Sequence, residues 1–469
     1  MKKMKKIFAL LIAMVMVLGM STSVFAATAD PKVKVEGIAS GDQVKLYRVL
    51  EVDQTSSTGW KVTSQFSSAI GVDAALDGIT SVEAETLAEA ASTTAYSTAA
   101  TGTSVELNVD PGLYLVIVTP ADTNTIYNPA IVASDYNSVN DTNVINLSTA
   151  GYSDTAVMKK ADIPVDKKAN CEDNTDGYSV GDVVPFTITT TMPSYPANSA
   201  NATMVITDTP TGLEIDVSTI KVNVGGTEVT EDADTYSLNA TTGGLTVTFD
   251  KQYILDNPAK AIVVSYSAKL TSVDEATGEA SNTAKAKFNQ NPNSNTTVEP
   301  SDTVKEKTYG YVFEKAGNTT NGTSATNVPL AGAVFTLYKD QACEETVKDA
   351  SGNTVTSTSA IVSGHAYVYF AGLADGTYWV KETTVPAGYV AMDAWSFTVN
   401  ESVATNDNPA TTAVTETNYL VEDNVKVNIE GAALPSTGGI GTTIFYIVGV
   451  ILVIGAGVVL VTRCRMKVN

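Results

Sequence analysis

A chain of 469 residues with 51 acidic against 29 basic side chains carries a net charge of −22, and its clustered basic residues sit in the two terminal segments, which argues against nucleic acid as a partner. With 3 cysteines and 1 histidine, a disulfide framework, a His-based metal site and a His-dependent hydrolase triad all lack their raw material. The length suffices for two to four domains, each with its own core.

In chain order, Lys2, Lys3, Lys5 and Lys6 precede the apolar run Ile7 to Met20, and Val24-Phe25-Ala26 offers small residues at the cleavage positions. This predicts a secretory signal peptide over 1–26 and a mature chain from Ala27. A first domain is expected over 27–160, where Lys32 to Glu36 and Val44 to Val52 alternate like strands and Asp110-Pro111-Gly112 turns into the run Leu113 to Val118. Its one stretch of good helix formers is Val82 to Ala91. A second domain, 161–303, lies between Asp162-Ile163-Pro164 and the polar stretch Asn289 to Asp302, with strands at Val183 to Thr190, Met204 to Thr207, Leu245 to Phe249 and Ala261 to Leu270. A third follows over 304–432. The segment 433–469 holds Leu434-Pro435-Ser436-Thr437-Gly438, an apolar run from Ile444 to Val461 long enough to span a membrane as a helix, and then Arg463, Arg465 and Lys467, which belong on the cytoplasmic side. The chain therefore reads as all-β, three immunoglobulin-like sandwiches in tandem between a signal peptide and a C-terminal transmembrane helix.

The order of motif, span and basic tail resembles the sorting signal of sortase substrates on Gram-positive surfaces. The resemblance implies a cut between Thr437 and Gly438, with the Thr437 carbonyl held as a thioester and passed to an amine; the competing reading is a permanent single-span anchor. Residues 27–160 resemble the N-terminal domain of sortase-assembled pilins. There, a Tyr-Pro-Lys motif often supplies the acceptor amine at the junction, and this chain has Val157-Met158-Lys159. The alignment implies Lys159, with Lys160 as the alternative and two solvated linker lysines as the bland reading.

The second domain resembles the collagen-adhesin A type, whose members carry an internal Lys to Asn isopeptide bond beside an acid. Lys167, Asp208 and Asn282 match. Lys167 shares parity with Val165, Asp208 with Met204 and Ile206, and Asn282 with Ala284, Ala286 and Phe288, so period two points all three inward; a slip of one residue would make Lys168 the inward lysine. In the third domain Tyr378-Trp379-Val380-Lys381-Glu382-Thr383-Thr384-Val385-Pro386-Ala387-Gly388-Tyr389 resembles the E-box of collagen-adhesin B-type domains. Glu382 shares a face with Tyr378 and Val380, and Lys315 with Tyr311 and Phe313. Asn428 is the asparagine the family spacing implies and Asn424 the alternative, although both oppose the parity of Val425, Val427 and Ile429, so that a bulge is expected.

Such a trio has a chemical logic. A buried ionisable group asks for an explanation, and burial disfavours the charged forms of amines and acids alike, leaving a nucleophilic amine beside a proton-shuttling acid. Glu382 and Asp208 are then the promoting acids, Lys315 with Asn428 and Lys167 with Asn282 the cross-linked pairs, and the packed core replaces an external enzyme by proximity.

These resemblances together imply a major pilin subunit, anchored to the cell wall and not itself a turnover enzyme. No cofactor or metal is expected. The implied partners are a pilin-specific sortase, a housekeeping sortase, other copies of the chain, ancillary pilins and peptidoglycan, with any host or cell-surface receptor left open. The alternative is an ancillary pilin or a monomeric wall-anchored adhesin; a large extra ligand-binding domain would favour the adhesin, and none is evident in this length. His365 is assigned a surface or packing role, and the acidic pairs Glu51 with Asp53 and Glu344 with Glu345 read as solvated charge.

Overall fold

Alternation of apolar and polar residues dominates the chain, and strands follow from it throughout. The computed structural model describes residues 31–53, 55–70, 84–91, 94–100, 102–135, 152–169, 177–274, 277–321, 324–404, 419–431, 445–454 and 456. The signal peptide expected over 1–26 and the motif Leu434 to Gly438 lie outside these residues. Within the expected span, 445–454 are helical, and no helix among the described residues is long and apolar enough to cross a membrane.

In the first unit, Gln43–Val52 and Gly112–Thr119 pair at the centre of a five-stranded sheet. Both faces of Gly112–Thr119 are covered, since Leu113 and Leu115 join one core with Trp60, Phe66 and Leu87, while Tyr114 and Val116 join another with Val33, Val35 and Met158. Such two-sided burial makes the strand read as a continuous apolar run. The described part of the expected helix is Ala84–Ala90.

The second unit is a sandwich. One sheet runs Asp166–Ala169, Val183–Thr191, Ala261–Leu270, Leu213–Val224 and Thr227–Glu228; the other carries Tyr236–Thr241, Gly244–Phe249, Met204–Thr211, Glu279–Asn289 and Thr297–Val298. Ser301–Lys307 also pairs with Glu279–Asn289, so the sheet continues past the expected boundary at 303. A short helix, Lys251–Asp256, interrupts the strands, capped by the Asp250 carboxylate, which accepts from Gln252 N and Tyr253 N.

The third unit packs Val334–Tyr338, Gly376–Thr384 and Trp395–Val399 against a sheet centred on Tyr309–Asn321. That first strand takes His365–Leu373 on one side and, in parallel, Tyr419–Val421 and Lys426–Ile429 on the other. Aromatic contacts fill the core: Phe313 meets Phe335 and Trp395 edge-on at 5.1 and 5.2 Å.

The junctions are packed. Ile163, in the expected Asp162-Ile163-Pro164 linker, is fully buried in the core of the second unit together with Ile126 of the first, and Gln290 Nε2 donates to the carbonyls of Asp122 (2.6 Å) and Thr125 (3.2 Å). Between the second and third units, Val180 N donates to Gly372 O at 2.8 Å and Ala374 N to Ser179 Oγ at 2.9 Å.

Candidate functional site

Three places hold the residues that the sequence singles out. In the second unit the alternation of Asp166–Ala169 turns Lys167 inward from one sheet, while Asp208 and Asn282 point inward from the other; all three are buried. Lys167 Nζ donates to Asp208 Oδ1 at 2.5 Å and to the Tyr266 hydroxyl at 2.7 Å. The same hydroxyl donates to Asp208 Oδ2 and accepts from Asn282 Nδ2 at 2.7 Å. Phe186 and Tyr266 stack with centroids 5.7 Å apart, and Lys167 Nζ lies 4.9 and 5.1 Å from their ring centres. The lysine backbone is pinned as well, Lys167 N donating to Asp302 Oδ2 at 2.8 Å. Burial pushes the Lys167 amine down from its ordinary range, against the opposing pull of Asp208. Lys168 is exposed and paired with Asp166 at 2.8 Å.

The third unit brings Lys315, Glu382 and Asn428 into its interior, each buried. Here the acid holds the amide and not the amine. Asn428 Nδ2 donates to both Glu382 oxygens at 2.9 Å and to Val390 O at 3.0 Å, while Lys315 Nζ donates to the carbonyls of Ala316 (2.6 Å) and Lys426 (3.0 Å). Burial lowers Lys315 to about 8, with Glu382 pulling the other way. No bulge is needed to turn Asn428 inward. The strand presents Val425 and Ile429 to solvent and Asn428 to the core, because Lys426–Ile429 lies beside the first strand in parallel register, Lys315 opposite Lys426 and Gly317 opposite Asn428. Asn424 is exposed and donates to Glu422 at 3.4 Å.

The E-box loop explains how the last strand is held. Val390 N donates to Ile429 O at 2.9 Å and Gly431 N to Gly388 O at 2.8 Å, with Gly388 at φ 90°, a left-handed turn that glycine takes without strain. Met392 N donates to Glu382 Oε2 at 3.0 Å, orienting the acid. The Tyr389 ring lies over Gly317, where a Cβ would come within 2.6 Å of it. In both units the asparagine Oδ1 has no hydrogen-bond partner among the described residues, an unsatisfied buried acceptor of the kind that costs about 1–3 kcal/mol.

The third place is the first junction. Val157 and Lys159 are exposed and Met158 is buried between them. The backbone is tied on both sides: Thr155–Val157 pairs with Lys32–Glu36, Lys160–Asp162 pairs with Thr125–Tyr127, Met158 N donates to Glu36 O at 2.8 Å, and Lys159 O accepts from Asn128 N at 3.2 Å. Lys160 pairs with Asp162 at 3.0 Å, whereas Lys159 has no paired carboxylate among the described residues.

Sequence reasoning missed Tyr266, Asp302 and Gly317. An inward tyrosine in an apolar row gives no separate signal, and the roles of the other two depend on contacts with residues far away in sequence. His365 is exposed and bonded to Glu314 through Nδ1 at 2.7 Å, and Cys343 is a free thiol.

Residues 426–465 match the LPXTG cell wall anchor motif and residues 319–413 the SpaA prealbumin-like fold domain. The trypsin-resistant surface T6 protein of Streptococcus pyogenes is 26% identical, the match covering 87% of this chain and 80% of that protein. The fimbrial subunit type 2 of Actinomyces naeslundii is 27% identical, over 62% and 59% of the two chains. The chain carries a cell-wall anchor motif and is related in sequence to these surface and fimbrial proteins. Its fold is similar to that of the T6 backbone pilin of S. pyogenes, which superposes with a TM-score of 0.65 at 18% identity, covering 87% of this chain and 100% of that one. The major pilin SpaD of Corynebacterium diphtheriae gives 0.56 at 16% identity, covering 88% and 100%. Among the described residues the chain forms a row of three β-units, with Lys167, Asp208 and Asn282 buried in the second and Lys315, Glu382 and Asn428 in the third.

Proposed function

We propose that this chain is the major subunit of a covalently polymerised pilus, built as an N-terminal domain, a middle domain and a C-terminal domain in series. A sortase would cut after Thr437 and hold its carbonyl as a thioester. The Lys159 amine of the next copy would attack that carbonyl, forming an amide and releasing the sortase thiol. Head-to-tail joining of this kind is heterologous and extends without closing. The observation that carries the reading is an exposed lysine with no paired carboxylate among the described residues, on a braced junction far in sequence from the anchor motif, in a chain with a fold similar to the backbone pilins. The bracing refines the chemistry, since an amine presented on fixed backbone loses less entropy on entering an enzyme cleft than one on a loose linker.

Within each subunit, Lys167 would be joined to Asn282 beside Asp208, and Lys315 to Asn428 beside Glu382, each with loss of one ammonia. The lowered amines support this, because a neutral amine is the nucleophile the reaction needs. Digestion of polymer released from the wall should yield a branched peptide in which the Thr437 carbonyl is joined to Lys159 Nζ. A branch at Lys160 would move the role one residue along, and polymer containing neither branch would refute the assignment.

A further inference from the structure

We infer that Tyr266 is a catalytic residue of cross-link formation in the second unit, delivering a proton to the departing nitrogen of Asn282. This rests on the reading of Lys167 and Asn282 as the bonded pair. The Tyr266 hydroxyl touches every group concerned: it accepts from Lys167 Nζ and Asn282 Nδ2, both at 2.7 Å, and donates to Asp208 Oδ2. Asp208 is bonded to the lysine and to the tyrosine, and reaches the amide through that hydroxyl. The third unit differs. Glu382 contacts Asn428 Nδ2 directly with both oxygens, so its acid already stands at the leaving group. Tyr266 supplies in the second unit the contact that Glu382 makes in the third.

The step balances without any other reactant. Lys167 Nζ forms a bond to Asn282 Cγ, and the Cγ–Nδ2 bond breaks. One proton must leave the attacking nitrogen and one must reach Nδ2 for ammonia to depart. Asp208 Oδ1 takes the first at 2.5 Å; the Tyr266 hydroxyl gives its own proton to Nδ2 and regains one from the Asp208 carboxyl, so both groups end as they began. These distances are those of general acid–base transfer. Placement of the ring favours the role further. Ala261–Leu270 turns Ile262, Val264, Ala268 and Leu270 into the core, and Tyr266 brings the one polar tip in that row, held by stacking on Phe186.

The test is pulse-labelled synthesis of the full chain, quenched in denaturant at intervals, with ammonia loss scored separately in peptides from the two units. Tyr266→Phe keeps the ring and its stacking and removes only the hydroxyl. Closure in the second unit should slow by about 10²-fold or more, while the Lys315 to Asn428 bond forms at the wild-type rate and reports that the third unit has folded. Replacing Tyr266 with 3-fluorotyrosine preserves shape and makes the hydroxyl a stronger acid, and should change the second-unit rate alone. Equal second-unit rates in the wild type and Tyr266→Phe overturn the role of Tyr266 while leaving the bond intact. A slow Tyr266→Phe with an unmoved fluorotyrosine variant overturns proton delivery and leaves the hydroxyl only the positioning of Lys167, Asp208 and Asn282 through its hydrogen bonds. A wild-type chain in which Lys167 and Asn282 never join refutes the pairing itself, and Tyr266 with it.

Discussion

Lys315 is held near the middle of its useful range. Its ordinary value is 10.5 and burial lowers it to about 8, so in the folded precursor it is mostly protonated below about 8 and mostly a free amine above. Closure of the third-unit bond should therefore speed up as the pH rises towards 8, by about tenfold per unit where the amine is still charged, and level off beyond it. The sign for stability is the same: between about 8 and 10.5 the unfolded chain binds the proton that the folded one lacks, so the unlinked precursor gains stability as pH rises. Ammonia loss followed over a pH series checks this, and a flat profile through neutral pH would contradict it. Much at this scale was legible. Period two turned Lys167, Asp208, Asn282, Lys315 and Glu382 inward, and all five are buried. Asn428 needed no bulge, because Val425 and Ile429, which looked like core residues, face solvent. Tyr266 was hidden by its own hydrophobicity, since a tyrosine in an apolar row reads as packing until its hydroxyl is placed.

Strands decide what each bond would do. In the third unit the first and last strands are parallel neighbours in register, so a Lys315 to Asn428 tie would lock adjacent strands together. In the second, Lys167 and Asn282 lie on opposite sheets and their bond would cross the sandwich, leaving Ser301–Lys307 outside the tie and held to Glu279–Asn289 by strand pairing and the Lys305–Glu279 ion pair. Each bond would close a loop of more than a hundred residues, for which chain entropy alone predicts about 4–5 kcal/mol by the argument used for disulfides. The E-box acts through Tyr389 and its glycine seat. Gly317→Ala should put a methyl into the Tyr389 ring, destabilising the third unit by about 1–3 kcal/mol through overpacking. Thermal unfolding measures this, and an unchanged midpoint would show that the ring moves aside freely. At this scale the alternating patterns located the strands well, while the helix Lys251–Asp256 escaped notice because six residues give too little periodicity to separate it from a turn.

At the scale of the whole molecule, load entering at one end must pass through every unit in series. The junctions suit that task. Ile163 is buried, Gln290 bonds back to the first unit, and Ser179 and Val180 bond into the third. The sequence suggested linkers here from their proline and polar residues; composition cannot reveal that an isoleucine beside the proline is buried in the neighbouring core. A braced junction also fixes where Lys159 stands relative to the rest of the subunit, and that repeats in every copy of a polymer. The most direct test of the account is a denaturing gel of enzymatically released cell wall, probed for this chain. The wild type should give a ladder of high-mass species, Lys159→Ala a single wall-bound band of subunit mass, and Thr437→Ala material retained in the membrane fraction. A wild-type wall fraction containing only the subunit band would contradict a polymer-forming pilin.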